Sequence, residues 1–280
     1  MEPFLQISQG PNGPMLSTLE GRLLTFFLIF VRCIALIASA PIFNSRSVDR
    51  LIKGGLALGI SLVVEAALPA QQYTIVNYVS LVLLVFGEML IGFMMGFTAQ
   101  IFYQAVGLAG EVIGQQAGFA IATALDPATE QDSALMEQVL LMITTLVILV
   151  SNMHLAVLQI LAETFRVVPP GSVVGLNDLG KAGETIAATM SGAGRVPGFF
   201  EFAVRLAAPS VIALIALNVA DGIMAKTSPQ VNIMVIGFAL RLVCGLFILI
   251  VTMPTICLLI HDYLALYPHW ARTVMSWLRA

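Results

Sequence analysis

Several charged side chains lie inside, or at the ends of, long apolar segments of this chain. They are Arg32, Glu65, Glu88, Arg205, Asp221 and Arg241. A charge at the centre of a bilayer costs about 2.5 to 3.5 kcal/mol or more unless it is paired or hydrated. Arg32 and Glu88 have apolar neighbours on both sides and favour pairing, either within the protein or with another subunit. Arg205 and Arg241 favour snorkelling at a helix end, and a proton relay is a third alternative.

No catalytic motif accompanies these charges. The sequence contains no GxSxG, HExxH, P-loop or GxGxxG motif, and its three histidines lie far apart. Its three cysteines, Cys33, Cys244 and Cys257, lie within apolar segments at spacings that match no metal site or disulfide framework. The sequence therefore disfavours an enzyme and predicts no cofactor and no bound metal.

The composition predicts a membrane protein that positions these charges on helices. The chain has 280 residues, of which 59% are hydrophobic and 10% charged, whereas a soluble domain carries roughly 25% charged residues. Its net charge of −3 provides no basic surface for nucleic acid. We expect one all-α, polytopic membrane-type domain over residues 1–280, with about six long hydrophobic helices and some broken or re-entrant segments. The six segments lie near residues 23–43, 51–69, 76–103, 135–161, 202–222 and 233–262.

The positions of the basic residues do not determine a single membrane topology. Residues 1–22 form an N-terminal tail without the positive start of a cleavable signal peptide. The linker 44–53 carries Arg46, Arg50 and Lys53, which favours the cytoplasm and places the N-terminus outside. Six crossings then return the C-terminus to the outside, whereas Arg272 and Arg279 favour the cytoplasm. A polar connector over residues 166–201 separates the fourth and fifth segments.

A weakly polar, glycine-rich stretch over residues 107–132 interrupts the apolar segments. Gly110, Gly114 and Gly118 recur every four residues, a spacing that lets another backbone approach one face of a helix. Asp126 followed by Pro127 is typical of a helix N-cap and first helical position. Two interpretations remain open for this stretch, a broken helix buried among its neighbours and a re-entrant segment that lines a cavity. Two GxxxG pairs, Gly55 with Gly59 and Gly92 with Gly96, favour close helix packing elsewhere.

Taken in order, these motifs resemble the FliR family, which comprises flagellar export gate proteins and counterparts in virulence type III secretion systems. The resemblance covers nearly the whole chain, and its most specific motif is KTSPQVN at residues 226–232. The GEVIGQQAGFAIATALDPATEQDS stretch also matches the family pattern. The other matching residues, to which the resemblance gives roles in assembly and helix packing, are Arg32, Pro41, Glu88, Gly92, Gly96, Pro209, Asp221, Gly222, Pro229, Gln230 and Arg241.

The resemblance implies a subunit of a protein export channel in the bacterial inner membrane, at the flagellar basal body. Its partners would be FliP-like and FliQ-like subunits, FlhB-like and FlhA-like components, and exported unfolded proteins. The 107–132 stretch would act as a plug-like loop, and the plug residues would be Gly110, Gly114, Gln115, Gln116, Gly118, Phe119, Leu125, Asp126 and Pro127. The equivalent virulence subunit is an alternative, as are a secondary transporter and a membrane scaffold without a channel role.

Overall fold

The computed structural model describes residues 18–41, 43, 49–68, 78–119, 135–171, 184, 187, 198–227 and 233–278. All regular elements in these ranges are α-helices, which confirms the all-α prediction. The helices are α1 (Thr18–Ser39), α2 (Arg50–Ala67), α3 (Tyr78–Gln116), α4 (Leu135–Val150), α5 (Met153–Val167), α6 (Phe199–Thr227), α7 (Ile233–Ala265) and α8 (Tyr267–Leu278).

Four of the described helical stretches are long and apolar enough to cross a membrane. They are Gly21–Ser39, Tyr78–Gln116, Phe199–Met224 and Leu240–Arg272. Helices α4 and α5 form a fifth candidate, bent by 68°. Each of the six predicted segments coincides with helix, but α2 is not among the candidate spans. Its three charged residues, Arg50, Lys53 and Glu65, account for that difference.

The break between α4 and α5 lies at Ser151 and Asn152, inside the fourth predicted segment. Asn152 has a φ of 55°, in the left-handed region that asparagine tolerates better than most residues. Its amide donates a hydrogen bond to the carbonyl oxygen of Leu149, 3.2 Å away. One residue in this conformation is enough to end a helix, so the apolar run 135–161 folds as two helices.

Helix α3 continues into the stretch where the sequence predicted a loop. Residues 107–116 belong to α3, so an interruption that begins at Gly107 is not observed. The buried positions Val106, Ala109, Ile113 and Ala117 follow helical spacing, and this continuing apolar face explains why the glycines do not end the helix. Gly118, with a φ of 91°, follows the last turn in the position where left-handed glycines commonly end helices.

The chain divides into two compact units. Unit 1 comprises Met1–Gln100, His154–Ala187 and Pro268–Ala280. Its core includes one face of α1, which is formed by Leu28, Ile29, Arg32, Cys33, Leu36 and Ile37, all fully buried. An arginine among these apolar side chains requires a partner, because a buried charge is tolerated only when it is paired and hydrogen-bonded.

Unit 2 comprises Ile101–Met153 and Ala188–Tyr267. Its core contains an aromatic cluster in which Tyr263 stacks on Phe202, with ring centroids 3.4 Å apart, and on Phe102, with centroids 4.6 Å apart. These contacts join α7 to α6 and to the second part of α3. Pro209 and Pro254 lie inside α6 and α7. Such prolines are tolerated in membrane helices where neighbouring groups satisfy the freed backbone.

Candidate functional site

Arg32 on α1 and Glu88 on α3 form a fully buried ion pair in unit 1. Nε of Arg32 donates to Oε2 of Glu88 at 2.5 Å, and both side chains are 0% exposed. Removing one partner of such a pair typically costs about 3 to 5 kcal/mol, because the remaining charge stays buried without compensation. The structure thus joins the two charges for which the sequence favoured pairing, and it places them inside one chain.

The same two side chains also bind the end of α5 and the turn that follows it. Nη1 of Arg32 donates to the carbonyl oxygen of Val168 at 3.0 Å and to Oγ1 of Thr164 at 3.3 Å. The amide of Gly171 donates to Oε1 of Glu88 at 2.8 Å. The guanidinium carbon of Arg32 lies 4.4 Å from the ring centroid of Phe165. The ion pair therefore links three parts of unit 1: α1, α3 and residues 164–171.

Gly92 and Gly96 allow α3 to pack directly against α1. A Cβ atom at Gly96 would lie 2.7 Å from the carbonyl oxygen of Leu36 and 2.9 Å from the amide nitrogen of Ala40. At Gly92 it would lie against the carbonyl oxygen of Arg32, and 3.0 Å from the Cβ of Ala35. These neighbours are backbone atoms or a short side chain and have little freedom to move. The close helix contact that this GxxxG pair permits is therefore made within the chain, between α1 and α3.

The described residues of the predicted plug lie on the last turns of α3 or just after them. Gly110 packs against the start of α4, where an added Cβ would lie 2.8 Å from the Cα of Glu137. Gly114 and Gly118 are buried, Gln115 is exposed, and Gln116 and Phe119 are half-buried. Gly110 thus permits close packing of α3 against α4 of the same chain. Leu125, Asp126 and Pro127 lie outside the described residues.

A polar group in unit 2 lies near the end of α3. Nδ2 of Asn218 on α6 donates to Oε1 of Gln116 at 3.5 Å. One turn further along α6, Oδ2 of Asp221 lies 3.6 Å from Nη2 of Arg241 on α7. Asp221 is 5% exposed. Arg241 thus has an ion-pair partner on α6, in addition to the partial exposure expected of a snorkelling side chain.

The other described residues predicted for assembly are Pro41, Pro209 and Gly222. Pro41 follows α1 and is half-buried, and Pro209 lies within α6. Gly222 is exposed, with no atom within 4 Å of an added Cβ. Pro229 and Gln230 lie outside the described residues.

Helix α2 has an open glycine face. An added Cβ at Gly55 or Gly59 would have no heavy atom within 4 Å. Both glycines line an apolar groove of about 450 Å³ between α2 and α5, together with residues such as Val63 and Leu158. Only Ala57 and Ser61 of α2 are buried. Its exposed large side chains are Leu51, Ile52, Leu56, Leu58, Leu62 and Val63.

Sequence reasoning did not identify several residues that complete these contacts. Thr164 and Gly171 bind the ion pair, and Asn218 joins α6 to α3. Gly245 contacts Ala117, where an added Cβ would lie 3.0 Å from the alanine Cβ. The available signals were weak, because a lone threonine near a helix end or a single glycine in an apolar run is common. Arg272, which the sequence marks only by its positive charge, donates two hydrogen bonds to Glu163, of 3.0 and 3.1 Å.

Comparison with known proteins gives a consistent result over most of the chain. Residues 23–266 match the family described as bacterial export proteins, family 1. The flagellar biosynthetic protein FliR of Escherichia coli strain K12 is 35% identical over 236 residues, which cover 82% of this chain and 85% of that protein. FliR of Pectobacterium carotovorum is 32% identical over 232 residues, with the same coverage. FliR of Bacillus subtilis strain 168 is 28% identical over 253 residues, 90% of this chain and 94% of that protein.

Proposed function

Because this chain belongs to the FliR family of bacterial export proteins, we propose that it is a subunit of the flagellar type III protein export gate. In this role it forms, with FliP-like and FliQ-like subunits, the channel through which unfolded flagellar proteins leave the cytoplasm. The observation that carries the proposal is the match over residues 23–266, together with the flagellar names of the relatives. Those names favour a flagellar system over the virulence alternative.

The exposed apolar surface of α2 supports a place among partner subunits. Large exposed apolar patches typically mark interaction sites, and open glycines let a second helix approach closely. Helix α2 carries three charged residues within its 18 positions and is not among the candidate spans, which favours protein as the cover of its exposed face. The neighbours would be FliP-like and FliQ-like subunits, with FlhB-like and FlhA-like components completing the apparatus in the inner membrane at the basal body.

The plug role is part of the same proposal, but the proposed plug begins later in the chain than the sequence suggested. Gly110 is held against α4, and α3 remains helical to Gln116. The segment that closes the channel would then begin at Gly118, where the helix ends. Residues 119–125 read FAIATAL and carry no charge. Such side chains can seal a lumen against ions and still separate without breaking strong bonds.

Co-purification tests membership of the gate. The full chain is co-expressed with FliP-like and FliQ-like proteins from the same source, and the tagged chain is isolated in mild detergent. We expect a stable complex with both partners, and a chain that behaves poorly when expressed alone. A well-behaved chain that recruits neither partner, or that alone moves a small solute in liposomes, would contradict the gate and favour a transporter.

Ion conductance tests the plug. Deletion of residues 119–125 should increase ion leak through the assembled complex, whereas an equal deletion within the N-terminal tail should not. The yield of assembled complex is measured in parallel, so that a low leak caused by failed assembly is not mistaken for a closed channel. An assembled deletion complex with wild-type leak would rule out the plug while leaving subunit membership intact.

A further inference from the structure

The ion pair of Arg32 and Glu88 is placed where it cannot bind a neighbouring subunit or lipid. Both side chains are 0% exposed, and the pair lies between α1, α3 and the end of α5 within unit 1. Its contribution to the protein must therefore act through atoms of this chain. Those atoms are concentrated in residues 164–171, which provide two acceptors, one donor and one aromatic ring.

Each charged group has one bond to its partner and other contacts to the region after α5. In Glu88, Oε2 accepts from Arg32 and Oε1 accepts from the amide of Gly171. In Arg32, Nε donates to Glu88 and Nη1 donates to Val168 and Thr164. An ion pair needed only for charge balance would not require each side chain to bind its partner through one atom and residues 164–171 through another.

The backbone groups that the pair binds are ones that the local fold leaves unsatisfied. The last carbonyl groups of a helix have no partner within that helix, and a cation near them is favoured. Val168 directly follows α5, and Arg32 supplies the donor for its carbonyl oxygen. Gly171 has a φ of 79°, and Glu88 binds its amide in this left-handed conformation.

We propose that Arg32 and Glu88 are positioning residues that fix the turn Val168–Gly171 on α1 and α3. The pair thereby determines where the chain leaves α5 toward the polar connector. The polarity of the pair is essential to this role, because a donor must face the carbonyl of Val168 and an acceptor must face the amide of Gly171. This inference does not depend on the export function.

Two double variants separate positioning from simple charge balance. Arg32→Met with Glu88→Leu removes both charges, and buried pairs replaced in this way often leave stability unchanged. Arg32→Glu with Glu88→Arg retains a buried pair but inverts it, so that a donor faces the Gly171 amide and an acceptor faces the Val168 carbonyl. In the control, Glu201→Leu with Arg205→Met removes an exposed ion pair whose nitrogen–oxygen distance is also 2.5 Å.

Hydrogen exchange, measured by mass spectrometry on the purified full chain in detergent, reports on the turn directly. In either folded double variant, the amide of Gly171 should exchange about tenfold faster or more, since it loses a bond to a charged acceptor. Exchange within α1 and α3 should stay within about twofold of wild type, and the control should not change the turn. Wild-type protection of Gly171 in either double variant would overturn the proposal.

Thr164→Val decides the question if neither double variant folds. It retains both charges and the side-chain shape but removes an acceptor of Arg32, together with the hydroxyl's own bond to the carbonyl oxygen of Leu161. The amide of Val168, which donates to the carbonyl oxygen of Thr164 at 2.8 Å, should then exchange about two- to threefold faster. Thr144→Val removes the same kind of backbone bond, to Leu140, away from Arg32 and is the control, in which exchange one turn further on should stay at wild-type rates. Unchanged exchange at Val168 would contradict a positioning role for the guanidinium.

Discussion

Two GxxxG pairs in this chain provide a matched test of what their glycines do. Gly96 on α3 faces the end of α1, where an added Cβ would clash with Oγ of Ser39 and lie 2.7 and 2.9 Å from backbone atoms of Leu36 and Ala40. Gly59 on α2 faces no heavy atom within 4 Å. Alanine substitution places the same single carbon at both sites, and both lie within helices. The two variants therefore differ mainly in the contact that the new methyl group makes.

The magnitudes follow from these contacts. Overpacking of a close contact typically costs about 1 to 3 kcal/mol, whereas replacing glycine by alanine within a helix contributes up to about 1 kcal/mol of stability. We therefore expect Gly96→Ala to lower the free energy of unfolding by about 1 to 2 kcal/mol and Gly59→Ala to leave it unchanged or raise it by up to about 1 kcal/mol.

Thermal unfolding of the full chain in detergent measures this difference. The folded fraction is followed by size-exclusion chromatography after heating, with wild type, Gly96→Ala and Gly59→Ala prepared in parallel. We expect the midpoint of Gly96→Ala to fall below that of wild type and the midpoint of Gly59→Ala to equal or exceed it. Equal midpoints for the two variants would refute the argument that α1 and α3 meet at a contact only glycine permits.

Three further outcomes follow from the same structure. Gly55→Leu should leave the midpoint of thermal unfolding unchanged but reduce the yield of co-purified partner subunits about tenfold. Gly54→Leu lies off the groove and should leave that yield at the wild-type level; equal yields for the two variants would contradict docking on α2. Asp221→Leu should destabilise the chain by more than the double variant with Arg241→Met, because the single change leaves a partly buried cation unpaired; the reverse order of midpoints would refute the pairing. Glu163→Gln should lower stability by less than about 1 kcal/mol, because its partner Arg272 is well exposed; a larger loss would show that this pair is not screened by solvent.

The sequence predicted the helical membrane fold because long apolar runs leave few alternatives. It also indicated that Arg32 and Glu88 need partners, since both lie deep within such runs. It did not predict the bonds to Val168 and Gly171, because those residues lie 136 and 83 positions away from their partners and carry no charge. Contacts of that kind depend on which helices meet, and periodicity within one helix does not contain that information.

The glycine-rich stretch over residues 107–132 shows a different limit. Its weak polarity and its many glycines predicted an interruption between apolar segments. Burial of the apolar face, and close packing of Gly110 against α4, outweigh that local preference. The left-handed conformation of Gly118 then ends the helix about ten residues later than local composition suggested.

The length of α3 restricts how this protein meets the bilayer. Its 39 residues rise about 58 Å, whereas the hydrocarbon core is about 30 Å thick. A tilt of about 40°, the upper end of the usual range, still leaves a rise of about 45 Å along the membrane normal. As a bilayer-crossing helix, α3 would therefore extend beyond the hydrocarbon core by about a third of its length. The exposed side chains Val79, Val82 and Phe86 make the first half the part suited to lipid. In the second half, Phe102, Val106 and Ala109 are fully buried within unit 2, so this part of the helix is covered by protein.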